Sequence, residues 1–599
     1  MLDEAGSASE KRRRDALTST QRQIDEWNGR PLDREELAAY PSRGAVHGWR
    51  VGIQFSDGKT RQFDILANEQ FPVGPARVAL VDRPTFLTWP HVEKDGVLCL
   101  THQGYALSAN APADVVVSLM AEACQLIEDA SQGRLDDDFR SEFNSYWDWA
   151  TAEEAPPVWS ALRAGGPSRV VRAWKSAVRC YVGEDDASLK SWLTAIRPSA
   201  PKGGYATEPA TLAWLNQAPL PAEYPNSPGE LLALLPPDAV DLVLKLAAVD
   251  PSGLVVLLGA PTNNGVALAA VALQRASGSV RGGGPKPGKR QAGFRPGHVP
   301  PDVAGRRFLG SALAKRSSVS RCDAAWIHGR DQDVRFESLH EKRVTVLGCG
   351  SVGAPIAIAL AQAGVGFLRL VDSDVLSPAN AGRHPLGLSR AGVPKAVALK
   401  ESIAQRLPHL RLEDHPCRWQ DLPADVNVLD ADLIVSAMGD WAAEEGLNVI
   451  HLEAGRPAPI LYGWTEAHAC VGHAVLIDAE GGCLQCGFND HGQNLLHVTA
   501  WPEAQIRQEP ACGAHFQPYG PVELAYITSM IAERALDRLL RCDGAGHSLW
   551  IGAARRLAGL GGTYTEAWKE AGLTAPLLGG VVERHWPHDP WCRLCGNGR

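Results

Sequence analysis

Eleven residues past the middle of the chain constrain its fold more than any others. Arg343 to Gly353 reads RVTVLGCGSVG, an apolar strand pattern running into glycines, and a helical pattern follows from Ala354 to Ala363. Gly348, Gly350 and Gly353 therefore fall at a strand-to-helix turn, the context that the G-x-G-x-x-G pattern requires. Glycines there allow a tight turn and let phosphate oxygens approach backbone N–H groups at the helix N-terminus. The next strand pattern, FLRLVD, ends in Asp372, nineteen residues past Gly353. An acid at that place accepts hydrogen bonds from ribose hydroxyls. Strand and helix patterns keep alternating, so a parallel α/β sheet is expected. Taken alone, the glycines leave a dinucleotide site, another use and a purely structural turn all open.

The rest of the chain needs more than one core. At 599 residues, three or so domains are expected. The balance of 45% hydrophobic and 21% charged residues excludes a largely disordered protein. No apolar run reaches the ~18 residues of a membrane span. MLDEAGSASEKRRRDAL has charge but no apolar core, so no secretory signal is read and a cytoplasmic protein without a membrane partner is expected. A net charge of −9 without a dominant basic block argues against a nucleic-acid partner. Thirteen cysteines, an odd number, suit metal ligands, nucleophiles or buried thiols better than a complete disulfide framework.

Composition divides the chain. Residues 277–300 are rich in Gly, Pro and positive charge and read as a flexible linker. A softer break near Glu153 to Pro157 separates residues 1–155 from a middle module, 156–276, in which no chemistry is legible. Residues 301–599 form the third piece. In the first piece, WRVGIQF and RQFDIL alternate like strands around the turn SDGK, and Ala113 to Ala130 has helical periodicity. The middle piece shows helical stretches and one strand pattern, GLVVLLG.

After Asp372 come VDSDVLSPANAGRHPLG, then GVPKA, then LIVSAMGDWAAEEGLN. This series resembles the activating-enzyme (ThiF/E1) superfamily, which includes ubiquitin-activating enzymes and sulfur-carrier adenylyltransferases. The resemblance falls on Asp372, Asp374, Asn380, Arg383, Lys395 and Asp440, in the family's order. It implies that Asp372 holds the ribose of ATP, Arg383 and Lys395 the triphosphate, and Asp440 Mg²⁺. The residue types make chemical sense. Activating a carboxylate brings two anions together at an α-phosphate, so fixed cations and a metal ligand belong in one site. Here Trp441 follows Asp440 where the family usually has Asn. Relatives also supply an arginine from before the first strand, often across a homodimer; Arg321 and Arg330 are the candidates.

Cys483 and Cys486 form CLQC, and Cys592 and Cys595 form CRLC. Two such pairs can supply four thiolates to one tetrahedral, structural Zn²⁺; a redox role is the rival. Twenty-six residues past Cys486, Cys512 lies in PACGAHFQPYG. Resemblance to ubiquitin-activating relatives makes Cys512 the thioester cysteine, with His515 near it in sequence. Cys542, Cys349 and Cys124 read as packing.

FPVGPARVALVDRPTFLTWPHVEKDGVLCLTHQG, from Phe71, resembles the ubiquitin-conjugating fold around its active cysteine. Cys99 takes the cysteine position and His91 that of the family's histidine. Conjugating enzymes usually have His-Pro-Asn, whereas His91-Val92-Glu93 stands here; His102 is one substitute for the missing oxyanion donor. The fold class expected is α/β multidomain: an α+β conjugating-like domain, a middle module and a Rossmann-like activating domain with a zinc site. The order resembles bacterial E2–E1 fusions of CBASS antiphage operons. That implies ATP-dependent activation of a partner's C-terminus, a nucleotidyltransferase or a ubiquitin-like protein. A thioester on Cys512, transfer to Cys99 and conjugation to a target lysine would follow. A sulfur-carrier adenylyltransferase and a non-catalytic scaffold are the alternatives.

Overall fold

The computed structural model describes residues 2–100, 110–151, 155–197, 199–201, 204–249, 253–275, 300–502, 507–508, 515–516, 518–541, 544–573 and 575–596. The expected linker, 277–300, lies outside the described residues except for Pro300. Two compact units divide the chain. One holds residues 1–160, 164–182 and 208–320; the other holds 161–163, 183–207 and 321–599.

The first unit begins with the helix Leu2–Glu26 and a four-stranded antiparallel meander: β1 (Arg30–Pro31), β2 (Ala45–Gln54), β3 (Thr60–Asn68) and β4 (Arg77–Leu80). The expected hairpin is β2–β3, with Gly58 at φ 77° in its turn. Phe63, Ile65, Val78 and Leu80 project from the meander into a core closed by the helix Pro112–Ser131. That helix buries Val116, Leu119, Met120, Ala123 and Ile127, the i, i+3, i+4 stripe of its sequence. Two short helices follow, Asp138–Ser141 and Phe143–Thr151.

The middle of the chain differs from its sequence reading. The expected helices are present, among them Pro228–Leu234 and Pro237–Ala248, but in place of one strand an eight-stranded sheet is built. Its members are β5 (Val158–Ser160), β6 (Arg169–Lys175), β7 (Cys180–Gly183), β8 (Glu208–Trp214), β9 (Gly253–Thr262), β10 (Gly265–Arg275), β11 (Ala312–Ser317) and β12 (Val319–Arg321). Their order is β11-β10-β9-β8-β6-β7-β5-β12. β11 runs antiparallel to β10 across the 276–299 gap, and the helix Pro301–Leu309 packs on the helix Pro237–Ala248. Residues 301–317 thus complete the middle sheet, which moves the expected boundary at 301. The reason is physical: β10 needs an edge partner, and Phe308 and Leu309 fill the same core. Phe143 and Trp147 enter that core too, and the Trp147 Nε1 donates to the Ser317 carbonyl at 3.0 Å.

The second unit is the expected Rossmann-like sheet. β13 (Arg343–Leu347), β14 (Phe367–Val371), β15 (Arg411–His415), β16 (Leu433–Ser436) and β17 (Ile460–Thr465) are parallel, in the order β15-β14-β13-β16-β17. β18 (Val471–Ile477) and the strands Gly546–Ile551 and Gly580–Arg584 extend it antiparallel. The helices Gly353–Ala363 and Pro521–Arg541 cover one core. Because β14 and β16 flank β13 on opposite sides, the chain reverses direction there, and a crevice opens at the strands' carboxyl ends. Among the described residues, no helix is long and apolar enough to cross a membrane.

Candidate functional site

The crevice at that reversal is a cavity of about 290 Å³. β13 delivers Gly350 and Ser351, β16 delivers Met438 and Gly439, and Trp464 and Thr465 come from β17. Asn380, Arg383 and Lys395 complete the polar wall with His384 and Tyr519. The glycines earn their places by close approach. A Cβ on Gly353 would lie 1.8 Å from the Gly348 carbonyl, and one on Gly348, itself at φ 87°, would lie 2.5 Å from the Ala437 carbonyl. Gly350 has open space beside it, on the cavity side.

Beneath the glycine loop, both Asp372 oxygens accept backbone hydrogen bonds, from Cys349 N at 2.6 Å and Asp374 N at 2.7 Å. Burial raises the Asp372 carboxyl from its ordinary value, against these bonds and the Lys395 charge, which lower it. Its remaining lone pairs leave room for further donors. The Lys395 ammonium is 2.7 Å from Asp374. Asn380 accepts from Ser377 N and Oγ at 3.0 Å. The Arg383 guanidinium lies 5.6 Å from the Tyr519 ring centre, and the Tyr519 hydroxyl is 2.9 Å from Ser351 Oγ. Asp440 sits one residue past Gly439, exposed, capping the helix Trp441–Glu453 through Ala443 N at 3.1 Å. Its carboxylate does not line the cavity.

Of the expected phosphate-site residues, the fold brings Gly350, Asn380, Arg383 and Lys395 to one wall; Gly348, Gly353 and Asp372 lie beneath the glycine loop, and the exposed Asp374 pairs with Lys395. Ser351, His384 and Tyr519 escaped the sequence reading. His384 adjoins Arg383 in sequence and bonds the Cys349 carbonyl at 2.9 Å. Burial holds its imidazole below the ordinary range. Arg321 is buried and held by Asp323 at 2.8 Å and by Asp331, under Trp326 at 4.9 Å. Arg330 is exposed and makes none of the described ion pairs. Cys512, Cys542 and His102 lie outside the described residues.

The four remaining candidate ligands do converge. Cys483 Sγ is 3.7 Å from Cys592 Sγ, and Cys486 Sγ is 3.4 Å from Cys595 Sγ. All four sulfurs lie within 4.8 Å of one another. Thiolates at ~2.3 Å from one Zn²⁺ in a tetrahedron stand about 3.8 Å apart, so the set fits zinc with no open position.

In the first unit, Cys99 is exposed at the end of a tight loop. Its N–H donates to the His91 carbonyl at 2.9 Å, and Val92 bridges Leu98 across the loop. Glu93, in the place expected for the conjugating asparagine, is ion-paired to Arg43 at 2.6 Å. Cys124 packs against the core, and Cys349 is fully buried, as expected.

Comparison with known proteins gives the same division. Residues 327–557 match the ThiF family, and residues 25–156 match prokaryotic E2 family B. A Pseudomonas aeruginosa protein named ATP-dependent ubiquitin transferase-like protein Cap2 is 28% identical over 291 residues, 47% of this chain and 47% of that one. Its Vibrio cholerae namesake is 25% identical over 244 residues, 39% of this chain and 41% of that one. The matched stretches thus span about half the length of these relatives or less. The solved structure of E. coli MccB with ATP is 17% identical with a TM-score of 0.29, covering 43% of this chain and 68% of MccB. The chain thus joins a region that matches prokaryotic E2 family B to a region that matches the ThiF family, the domain order of the Cap2 relatives' E2–E1 fusion architecture.

Proposed function

We propose that the chain activates the C-terminal carboxylate of a partner protein with ATP and passes the acyl group through cysteines to a target lysine. One observation carries this reading: Arg383, Lys395 and Asn380 share a wall with the open Gly350 turn at the carboxyl ends of β13 and β16. That wall presents cations and backbone N–H groups to a triphosphate. Asp372 takes the ribose hydroxyls. Lys395 and Arg383 hold the phosphates while the partner's carboxylate attacks the α-phosphorus and pyrophosphate leaves. Asp440 supplies a carboxylate for Mg²⁺, which screens the triphosphate when bound. Arg330 of a second copy is the arginine that reaches the site, in a homodimer formed through this domain.

Cys512 then takes the acyl group as a thioester and Cys99 receives it. Chain length supports the first step: Cys512 comes seven positions before cavity-lining Tyr519, a span of about 25 Å at most. The four-thiolate site holds Zn²⁺ as a structural ion, since no coordination position is left for substrate. The partner is a nucleotidyltransferase or a ubiquitin-like protein, and the setting is antiphage defence; both rest on resemblance to CBASS fusions. ATP–pyrophosphate exchange with the product of a neighbouring gene tests the reading. Exchange that depends on the partner's C-terminus supports it. Absence of exchange with every neighbouring product leaves a non-catalytic scaffold.

A further inference from the structure

Trp441 stands where ThiF relatives usually have asparagine, and the nucleotide site described above gives it no task. It opens the helix Trp441–Glu453, which Asp440 caps. Its indole stacks on the Phe488 ring, with centres 4.5 Å apart and planes 30° from parallel. Phe488 comes two residues after Cys486. The contact is one of a series. Glu445 is ion-paired to Arg593, which lies between Cys592 and Cys595. The buried Asn448 accepts from the Leu484 N–H at 3.1 Å, and Leu484 lies between Cys483 and Cys486. Leu452 packs against the cysteine cluster itself. Positions 441, 445, 448 and 452 recur at the spacing of one helix face. The helix that begins at Asp440 therefore lies along both cysteine pairs from its first turn to its last.

Its first turn is also tied to the nucleotide cavity. The Ser436 hydroxyl, at the end of β16, donates to the buried Glu444 at 3.0 Å. The stretch between them supplies Met438 and Gly439 to the cavity wall and carries Asp440. Trp441 has little room to move. A Cβ on Gly492, at φ 72°, would lie 2.5 Å from the indole, and the loop holding Gly492 is closed by the Leu495 N–H on the Gly487 carbonyl at 2.9 Å. A displaced knuckle must therefore carry Trp441 with it, and Asp440 is the next residue. We infer that Trp441, Glu445 and Asn448 are positioning residues that transmit the geometry of the four-thiolate site to the Asp440 carboxylate and the Met438–Gly439 wall. The consequence for Mg²⁺ rests on Asp440 being its ligand as proposed above; the mechanical link does not.

Two measurements on the full chain separate the link from its use. The first is amide hydrogen exchange before and after zinc is removed with a chelator. The helix Trp441–Glu453 should lose protection while the helix Gly353–Ala363 keeps it. Unchanged protection in both helices overturns the inference. Equal loss in both also overturns it, since zinc would then be a staple of the whole domain. The second is ATP binding titrated with Mg²⁺. Trp441→Ala removes no thiolate, so it should keep its zinc, yet need about tenfold more Mg²⁺ for half-maximal binding, as when an outer partner of a metal ligand is lost. Trp441→Phe, which still stacks on Phe488, should restore the wild-type midpoint. The half-exposed Glu445→Gln, which leaves the core untouched, should move it the same way by less. Wild-type Mg²⁺ dependence in Trp441→Ala and Glu445→Gln, beside a shifted Asp440→Ala, overturns the inference and leaves Asp440 as the Mg²⁺ ligand. Wild-type dependence in all three variants, with the selective loss of protection present, removes Asp440 from Mg²⁺ binding and supports the link alone.

Discussion

Lys395 and Asp440 stand on opposite sides of the same question, whether a residue's place in a motif is also its place in the site. Lys395 is nine-tenths buried, lines the cavity and is drawn to Asp374 at 2.7 Å. Asp440 is exposed and caps a helix, one residue outside the cavity wall. Lys395→Ala removes a fixed cation where charge develops, so pyrophosphate exchange should fall about 10²-fold or more while the fold survives. Asp440→Ala should give a similar loss that higher Mg²⁺ partly restores; a loss insensitive to Mg²⁺ would make the carboxylate only a cap. His91, whose Nε2 lies 3.1 Å from Asp138 Oδ2, adds a prediction with a sign. Hydrogen bonding at its ring outweighs burial and raises it to about 9, so its contribution to stability is complete below the ordinary 6.5 and is lost as pH rises through about 9. The gap in melting temperature between wild type and His91→Gln should be widest near pH 6 and closed near pH 10. The glycines and Asp372 were legible in sequence from a strand-to-helix turn and the next strand's end, and Arg383 and Lys395 only through the motif series that resembles the activating-enzyme family. Asp138 and Tyr519 were not: Asp138 lies 47 residues from His91 and Tyr519 lies 168 from Ser351. No local pattern links such residues, and only the packed fold brings them together.

Secondary elements divide the same way. The β2–β3 hairpin and the strand–turn–helix around Gly350 are short-range structures, and their sequence periods announce them. The middle sheet is different. β9, read as GLVVLLG and buried over the eight residues Gly253–Ala260, is the strand of it that a continuous apolar run announces; its shorter partners carry no such run. β11 reaches β10 only across the 276–299 interval, so a composition break inside a domain resembles a domain boundary. The tie between this sheet and the conjugating-like domain is the helix Phe143–Thr151. Trp147 is 1% exposed, packs on Phe143 and Tyr224, and donates to the Ser317 carbonyl. Trp147→Ala should cost about 3–5 kcal/mol in the transition of that unit, with a smaller loss in Trp147→Phe. Denaturant unfolding followed on the first unit checks it. At the other end of the chain, the four cysteines join segments 109 residues apart. About one zinc per chain is expected, and Cys486→Ser should lower metal content and melting temperature together, because structural zinc binding is coupled to folding. Four free thiols and no metal by elemental analysis would return the pairs to the redox reading.

At the scale of the whole molecule, the two proposed thiols stand far apart in sequence: Cys99 within the first compact unit, and Cys512, outside the described residues, 413 positions later. Two thiols carried by one chain encounter each other at an effective concentration set by the connecting chain rather than at the concentration of free molecules. This gives the relay an order that mutation can expose. With Cys512→Ala, adenylate should still form, since Lys395, Arg383 and the glycine turn are untouched, but no thioester should follow. With Cys99→Ala, a partner–enzyme species should accumulate on Cys512 and be cleaved by reducing agent. Cys99→Ser should instead collect an ester that resists mild reductant, because an alkoxide leaves far less readily than a thiolate. Non-reducing electrophoresis with ATP, partner and each variant separates these cases. Lysine conjugation that persists in Cys99→Ala would take the conjugating-like domain out of the pathway, leaving a single thiol or a sulfur-carrier type of adenylyltransferase to account for the ThiF domain.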